Sequence, residues 1–162
     1  MNKKEFDEIM DMVIAAEVES FEFYRDVAAK SADEHVKKIF LQFAQDEQDH
    51  VAITKNIKAM DLETFSFCEG AGYKIAQMCI VGDYKISETV QMPKLSADLN
   101  PVEAIALALK KEEAAMNAYS SLAEVAEDTE KKHVFAELAK MEEAHKVKIE
   151  DLYTNAAFGE VW

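Results

Sequence analysis

Residues 17 to 50 align without a gap onto residues 112 to 145, always 95 positions apart. The chain therefore writes one helical unit twice, and its fold must give both copies equivalent surroundings. Glu17 falls on Glu112, Glu47 on Glu142 and His50 on His145. Tyr24 falls on Tyr119, Phe40 on Phe135, and Ala28 and Ala44 on Ala123 and Ala139, so the framework around the polar residues recurs with them. Each copy brings one isolated Glu, one Glu-x-x-His and one Tyr. Four carboxylates and two imidazoles form a set suited to two metal ions inside a helical bundle.

Glu-x-x-His alone carries little information here. With 21 Glu among 162 residues and four His, about half a match is expected by accident. Three occur, at Glu47/His50, Glu142/His145 and Glu130/His133, and the repeat separates them. Glu130 and His133 fall on His35 and Lys38, not on a second Glu-x-x-His. His35 and His133 are therefore read as surface residues near helix starts.

Helical periodicity points the remaining ligand candidates inward. Val36, Phe40, Phe43, Glu47, His50, Thr54 and Ile57 follow alternating steps of four and three, the buried stripe of a bundle helix. Phe135, Leu138, Glu142, His145, Ile149 and Leu152 repeat it. Met10, Val13, Glu17, Phe21, Tyr24 and Ala28 line a third stripe, and Ile105, Leu109, Glu112, Met116, Tyr119 and Ala123 a fourth. Glutamate on a helix is ordinarily solvated, yet these four occupy positions where apolar residues belong. Unpaired buried ions cost several kcal/mol each, and the stripes contain no Lys or Arg to offset them. Two divalent cations would balance four carboxylates, with neutral imidazoles completing the shell. Oxygen and imidazole ligands suit Fe(II) or Mn(II) better than copper or zinc in sulfur-rich sites.

The register of each pair agrees. Residue 32 is the midpoint of Glu17 and Glu47, inside the segment Lys30 to Glu34, where Ser31 and Glu34 have the spacing of a capping box. A turn there leaves both glutamates about 22 Å from it, at 1.5 Å per residue. Residue 127 is the midpoint of Glu112 and Glu142, next to Asp128, which the repeat matches to Asp33 and which can cap the last helix. The expected fold is an all-α four-helix bundle in a single domain, residues 1–162, with helix pairs over about 5–60 and 101–155. Between them, about 61–100 forms a long crossover holding Gly70, Gly72, Gly82, Cys68, Cys79 and Pro93, and Pro101 is placed to open the third helix. Its apolar stretch Ile75 to Val81 is too short to span a bilayer and is expected as a short helix or strand. A connection of this length is expected to pack on the bundle or form a subunit contact.

Composition excludes several classes of function. A net charge of −14 argues against nucleic acid and anionic membranes as partners. The opening residues Met1 to Asp7 lead straight into an amphipathic, acidic pattern, so no signal peptide and a cytoplasmic location are expected. Cys68 and Cys79 stand eleven apart with no Cys-x-x-Cys, so a zinc or rubredoxin-type iron site cannot be built from this chain alone.

With these residues identified, a family resemblance emerges. "EVESFEFY" (17 to 24) followed by "EQDH" (47 to 50), repeated as "EEAAMNAY" (112 to 119) and "EEAH" (142 to 145), resembles the ferritin-like di-iron domain of rubrerythrins. The resemblance spans nearly the whole chain except the crossover and the tail after about residue 155. It implies a ferritin-like four-helix bundle holding two non-haem irons at Glu17, Glu47, His50, Glu112, Glu142 and His145. The implied activity is that of a peroxidase or oxygen reductase in oxidative-stress defence, with hydrogen peroxide or oxygen as substrate.

Two departures stand out. Rubrerythrins carry a further glutamate one turn after the third-helix ligand, tied to movement of one iron on redox change; here that place is Ala115, and its repeat mate is Ser20. A more symmetric site follows, and Glu113, about 100° round the helix from Glu112, is a poor substitute. The rubredoxin-like domain with its Cys-x-x-Cys motifs is also missing from the sequence, so a separate electron donor such as a rubredoxin-like protein is expected. Either Glu47 and Glu142 or Glu17 and Glu112 serve as bridges, with one His on each metal. Tyr24 and Tyr119, on the faces of the lone glutamates, are candidates to hydrogen-bond the ligand carboxylates and fix their orientation. Two other functions fit the same residues: a ferroxidase-type protein that binds iron without turning over a substrate, and a di-manganese, catalase-like enzyme. The exposed crossover makes a homodimer the expected assembly.

Overall fold

The computed structural model describes residues 2–60, 85–91 and 100–158. The described chain is all-α: α1 (Lys3–Lys30), α2 (Glu34–Ala59), a short 3-10 turn (Ile86–Thr89), α3 (Pro101–Val125) and α4 (Thr129–Phe158). It divides into two compact units, Met1–Phe65 and Ser66–Trp162, each built on one helix pair. The apolar segment Ile75 to Val81 and both cysteines lie outside the described residues. Among the described residues no helix is long and apolar enough to cross a membrane.

Polar caps set the helix boundaries. Asn2 and Glu5 form a reciprocal capping box at the start of α1, and Asn100 and Glu103 form another at the start of α3, with Pro101 in the first turn as expected. The two connections are equivalent: Ser31 to Asp33 joins α1 to α2, and Ala126 to Asp128 joins α3 to α4. Asp33 accepts from the backbone N–H groups of His35 and Val36, and its repeat mate Asp128 from those of Glu130 and Lys131. The sequence reading placed the α2 cap at Ser31 with Glu34. The structure corrects this: Ser31 ends α1, donating its backbone N–H to Val27 O, and its hydroxyl bonds the Asp33 backbone. Asp33 wins because its carboxylate satisfies two of the helix's orphan N–H groups at once.

Within the first unit the expected stripes are the packed faces. Phe6, Met10, Val13, Tyr24 and Ala28 of α1 are buried, as are Val36, Phe40, Phe43 and Ile57 of α2. Tyr24 is the centre of an aromatic cluster, with ring centroids 5.3, 5.9 and 5.6 Å from Phe23, Phe40 and Phe43. Burial of each large apolar side chain is worth about 1.5–3 kcal/mol. Lys58 pairs with Asp11 across the two helices.

The second unit buries a wider arc than one stripe. Every residue from Ala104 to Leu109 is buried on α3, and Val134, Met141, Ala144, Lys146, Val147 and Glu150 join the expected positions on α4. Part of the cover is the 3-10 turn, which packs against both α3 and α4. The 3-10 turn thus rests on its own unit's helix pair. The turn begins at Lys85 in the left-handed region (φ 54°, ψ 28°), a conformation that costs a non-glycine residue about 1–2 kcal/mol and persists only where surrounding contacts fix it.

Candidate metal centre

All six ligand candidates are buried: Glu17, Glu47, Glu112 and Glu142 are at most 2% exposed, His145 3% and His50 8%. Each sits where the heptad-like stripe of its helix turns inward. Their neighbours on the same stripes, Val13 and Tyr24 for Glu17 and Leu109 and Tyr119 for Glu112, are buried with them.

In the first unit, α1 and α2 bring three of them together. His50 Nδ1 lies 3.5 Å from Glu17 Oε2 and 3.9 Å from Glu47 Oε2. In the second, α3 and α4 bring His145 Nδ1 to 3.6 Å from Glu112 Oε2, and Glu142 and His145 offer ligand atoms within 4.8 Å of each other. The lone glutamate of one helix thus meets the histidine of the next through the same atoms and at nearly the same distance in both copies. Folding reproduces the 95-residue repeat as a repeated half-site.

These separations suit atoms sharing a metal. Two ligands each about 2.1 Å from one ion stand roughly 3.0 to 4.2 Å apart as the angle between them opens from 90° to 180°. The observed 3.5 to 3.9 Å fall inside that range and beyond ordinary hydrogen-bond length. The donor set, carboxylate oxygens plus one imidazole nitrogen per half-site, is hard enough for iron or manganese. On geometry and chemistry the residues fit the expected ions.

The other Glu-x-x-His behaves as the repeat indicated. His133 and His35 are exposed near the starts of α4 and α2, and Glu130 contributes its backbone N–H to the Asp128 cap. Tyr24 and Tyr119 are buried, and the ring contacts of Tyr24 give it a packing role in any case.

The sequence reading missed a second polar cluster in the second unit. Lys146 and Glu150, one turn apart on α4, form a buried ion pair with Nζ 3.2 Å from Oε1. Ser87 of the 3-10 turn, fully buried, donates its backbone N–H to Glu150 Oε1 at 3.0 Å and its hydroxyl to Glu113 Oε1 at 2.6 Å. Lys110 Nζ donates to Ser87 O and to Glu113 Oε2. Burial alone would raise the Glu113 carboxyl. The hydrogen bonds from Lys110 and Ser87, with the charges of Lys110 and Lys146, outweigh it and hold the group below its ordinary value. Glu113 is therefore committed to Ser87 and Lys110, which agrees with the expectation that it is no substitute for the glutamate missing at Ala115. A lysine inside a bundle helix gives no sequence signal of its own; spacing of Lys146 and Glu150 at i and i+4 was the available hint.

A comparison with curated proteins finds no match. A solved structure of a hypothetical protein from Pyrococcus furiosus is similar in fold, with a TM-score of 0.63 and 24% identity over 96% of this chain and 92% of that one. Residues 8–153 match the rubrerythrin family. That span contains both half-sites, and the chain belongs to the rubrerythrin family, with its all-α, ferritin-like fold.

Proposed function

We propose that the two half-sites together hold two iron ions and that the protein reduces hydrogen peroxide or oxygen with electrons from a separate donor. The observation carrying this reading is the duplicated buried contact between a lone glutamate and a histidine, Glu17 with His50 and Glu112 with His145. Buried on both units, four carboxylates need cations for charge balance, and one divalent ion per half-site supplies them. Bound iron would supply one electron per ion to the oxidant, which is the chemistry the protein side chains lack.

The chain's own residues do the rest. Glu17, Glu47 and His50 would hold one ion, and Glu112, Glu142 and His145 the other. Nδ1 of His50 and of His145, the nitrogen that faces the carboxylates, would be the imidazole donor. Tyr24 and Tyr119 orient the ligand carboxylates by hydrogen bonding. Apolar stripe residues on either side limit water at the site, which strengthens the carboxylates' hold on a cation. Electrons would arrive from a separate, rubredoxin-like protein. A cytoplasmic homodimer is the proposed setting.

Anaerobic reconstitution with Fe(II), followed by rapid mixing with hydrogen peroxide or with oxygen, tests the reading. Oxidation of both irons within the first turnover, and re-reduction that sustains further turnovers, is expected. Oxidation without turnover in the presence of excess reductant would make the protein an iron-handling one, and selective loading with manganese together with peroxide disproportionation would make it catalase-like.

A further inference from the structure

The repeat makes the ligands symmetric, and the polar cluster breaks that symmetry. Lys110, Glu113, Lys146 and Glu150 fall on Ala15, Val18, Val51 and Lys55 in the first copy. Ala15 and Lys55 are exposed and Val18 and Val51 half-buried, so the first unit has no equivalent of the cluster at these positions. Two lysines and two glutamates leave the cluster neutral overall. Ser87 is its hub: N–H, carbonyl oxygen and hydroxyl are all engaged, to Glu150, Lys110 and Glu113 respectively. Those bonds tie the crossover's 3-10 turn to α3 and α4 at once.

The cluster also lies beside the second set of ligands along both helices. Glu113 follows Glu112, and Lys146 follows His145. One residue along an α-helix is a rotation of about 100°, so the backbone carrying each ligand presents, on its adjoining face, a side chain fixed by Ser87 or by a partner of Ser87. Rotating or sliding α3 against α4 would break bonds in the cluster as it displaced Glu112 or His145.

We propose that Ser87, with Lys110, Glu113, Lys146 and Glu150, is a positioning device for Glu112 and His145, which makes the two metal positions unequal and the one at His145 the tighter. The inference rests on the dinuclear reading. It assigns a role to the crossover's 3-10 turn: the turn preorganises one half-site through bonds that Ala15, Val18 and Val51, at the equivalent positions of the first unit, cannot make. Preorganised ligands lose less freedom when the ion binds.

Titration of the metal-free protein with Co(II), followed by its visible absorption, reads each binding step. Two unequal steps are expected in the wild type, the tighter being the step lost in His145→Ala. Ser87→Ala and, as a second variant that spares the turn's backbone, Lys110→Met should weaken that step about tenfold, at the lower end of what loss of a group supporting a metal ligand costs. The weaker step should stay within about twofold. Ile57→Ala, a core substitution in the first unit, should lower the melting temperature without changing the ratio of the two steps. Two steps of equal affinity in the wild type, or variants that move both steps alike or neither, would overturn the inference. Fewer than two equivalents bound by the wild type would overturn the dinuclear reading, and this inference with it.

Discussion

Removing Lys146 while leaving Glu150 in place should be among the most damaging single substitutions in the second helix pair. The Lys146 and Glu150 side chains are 2% and 0% exposed. Glu150 Oε1 is shared between Lys146 Nζ and the Ser87 N–H, and Oε2 has no hydrogen-bond partner among the described residues. In Lys146→Met the carboxylate keeps its burial and loses its cation, which costs about 3–5 kcal/mol for a broken buried pair. At roughly 2–4 °C per kcal/mol for a chain of this size, the melting temperature should fall by about 6–20 °C. Lys146→Met combined with Glu150→Gln removes both charges, keeps an acceptor for Ser87 N–H, and should recover most of the loss, since a buried pair exchanged for neutral groups of similar volume is often nearly neutral. Guanidinium denaturation followed by circular dichroism measures both. A loss below about 1 kcal/mol in the single variant, or a double variant no better than the single one, would show that the pair is effectively solvated and would refute the reasoning.

Three further outcomes follow from the same structure. Glu130→Ala and His133→Ala should leave the iron content unchanged, whereas His50→Ala and His145→Ala should lower it; equal losses from His133→Ala and His145→Ala would invalidate the repeat-based assignment. The Asp128 carboxyl is held below its ordinary value, chiefly by the Lys131 backbone N–H, against an opposing effect of burial and with lesser help from the Lys131 charge and side chain and the Glu130 N–H. A depressed folded-state value contributes stability that is present above the unfolded value of about 3.9 and lost as pH falls through the folded one, so Asp128→Ala should be less stable than wild type at neutral pH and converge with it in strong acid. Two equivalents of Fe(II) or Mn(II) should raise the melting temperature clearly at pH 8 and much less at pH 5, where protons compete for carboxylate and imidazole ligands; equal melting temperatures with and without metal at pH 8 would count against a buried metal site.

The helix pairs and the burial of the six ligand candidates were legible because a repeat filters chance. Glu47 and His50 gain significance from Glu142 and His145, and the stripe that turns Phe40 inward turns Glu47 inward too. Residues lying off the stripes were not legible. Lys146 and Glu150 occupy positions that 3.6-residue periodicity assigns to a helix flank, and they are buried because α4 is covered over a wider arc than α2. Ser87 carries no signal in a Gly-containing connection; its role exists only once the turn meets α3 and α4. The α2 cap was misplaced by two residues because Ser31 and Glu34 satisfy a spacing rule, while Asp33 offers the better acceptor.

Metal content of the purified protein tests the central claim most directly. Reconstituted anaerobically with excess Fe(II), desalted and analysed for metal and protein on the same sample, the wild type should retain two iron ions per chain, and His50→Ala and His145→Ala should each retain fewer. One zinc ion per chain with no uptake of iron, or two irons per chain undiminished in both histidine variants, would contradict the account.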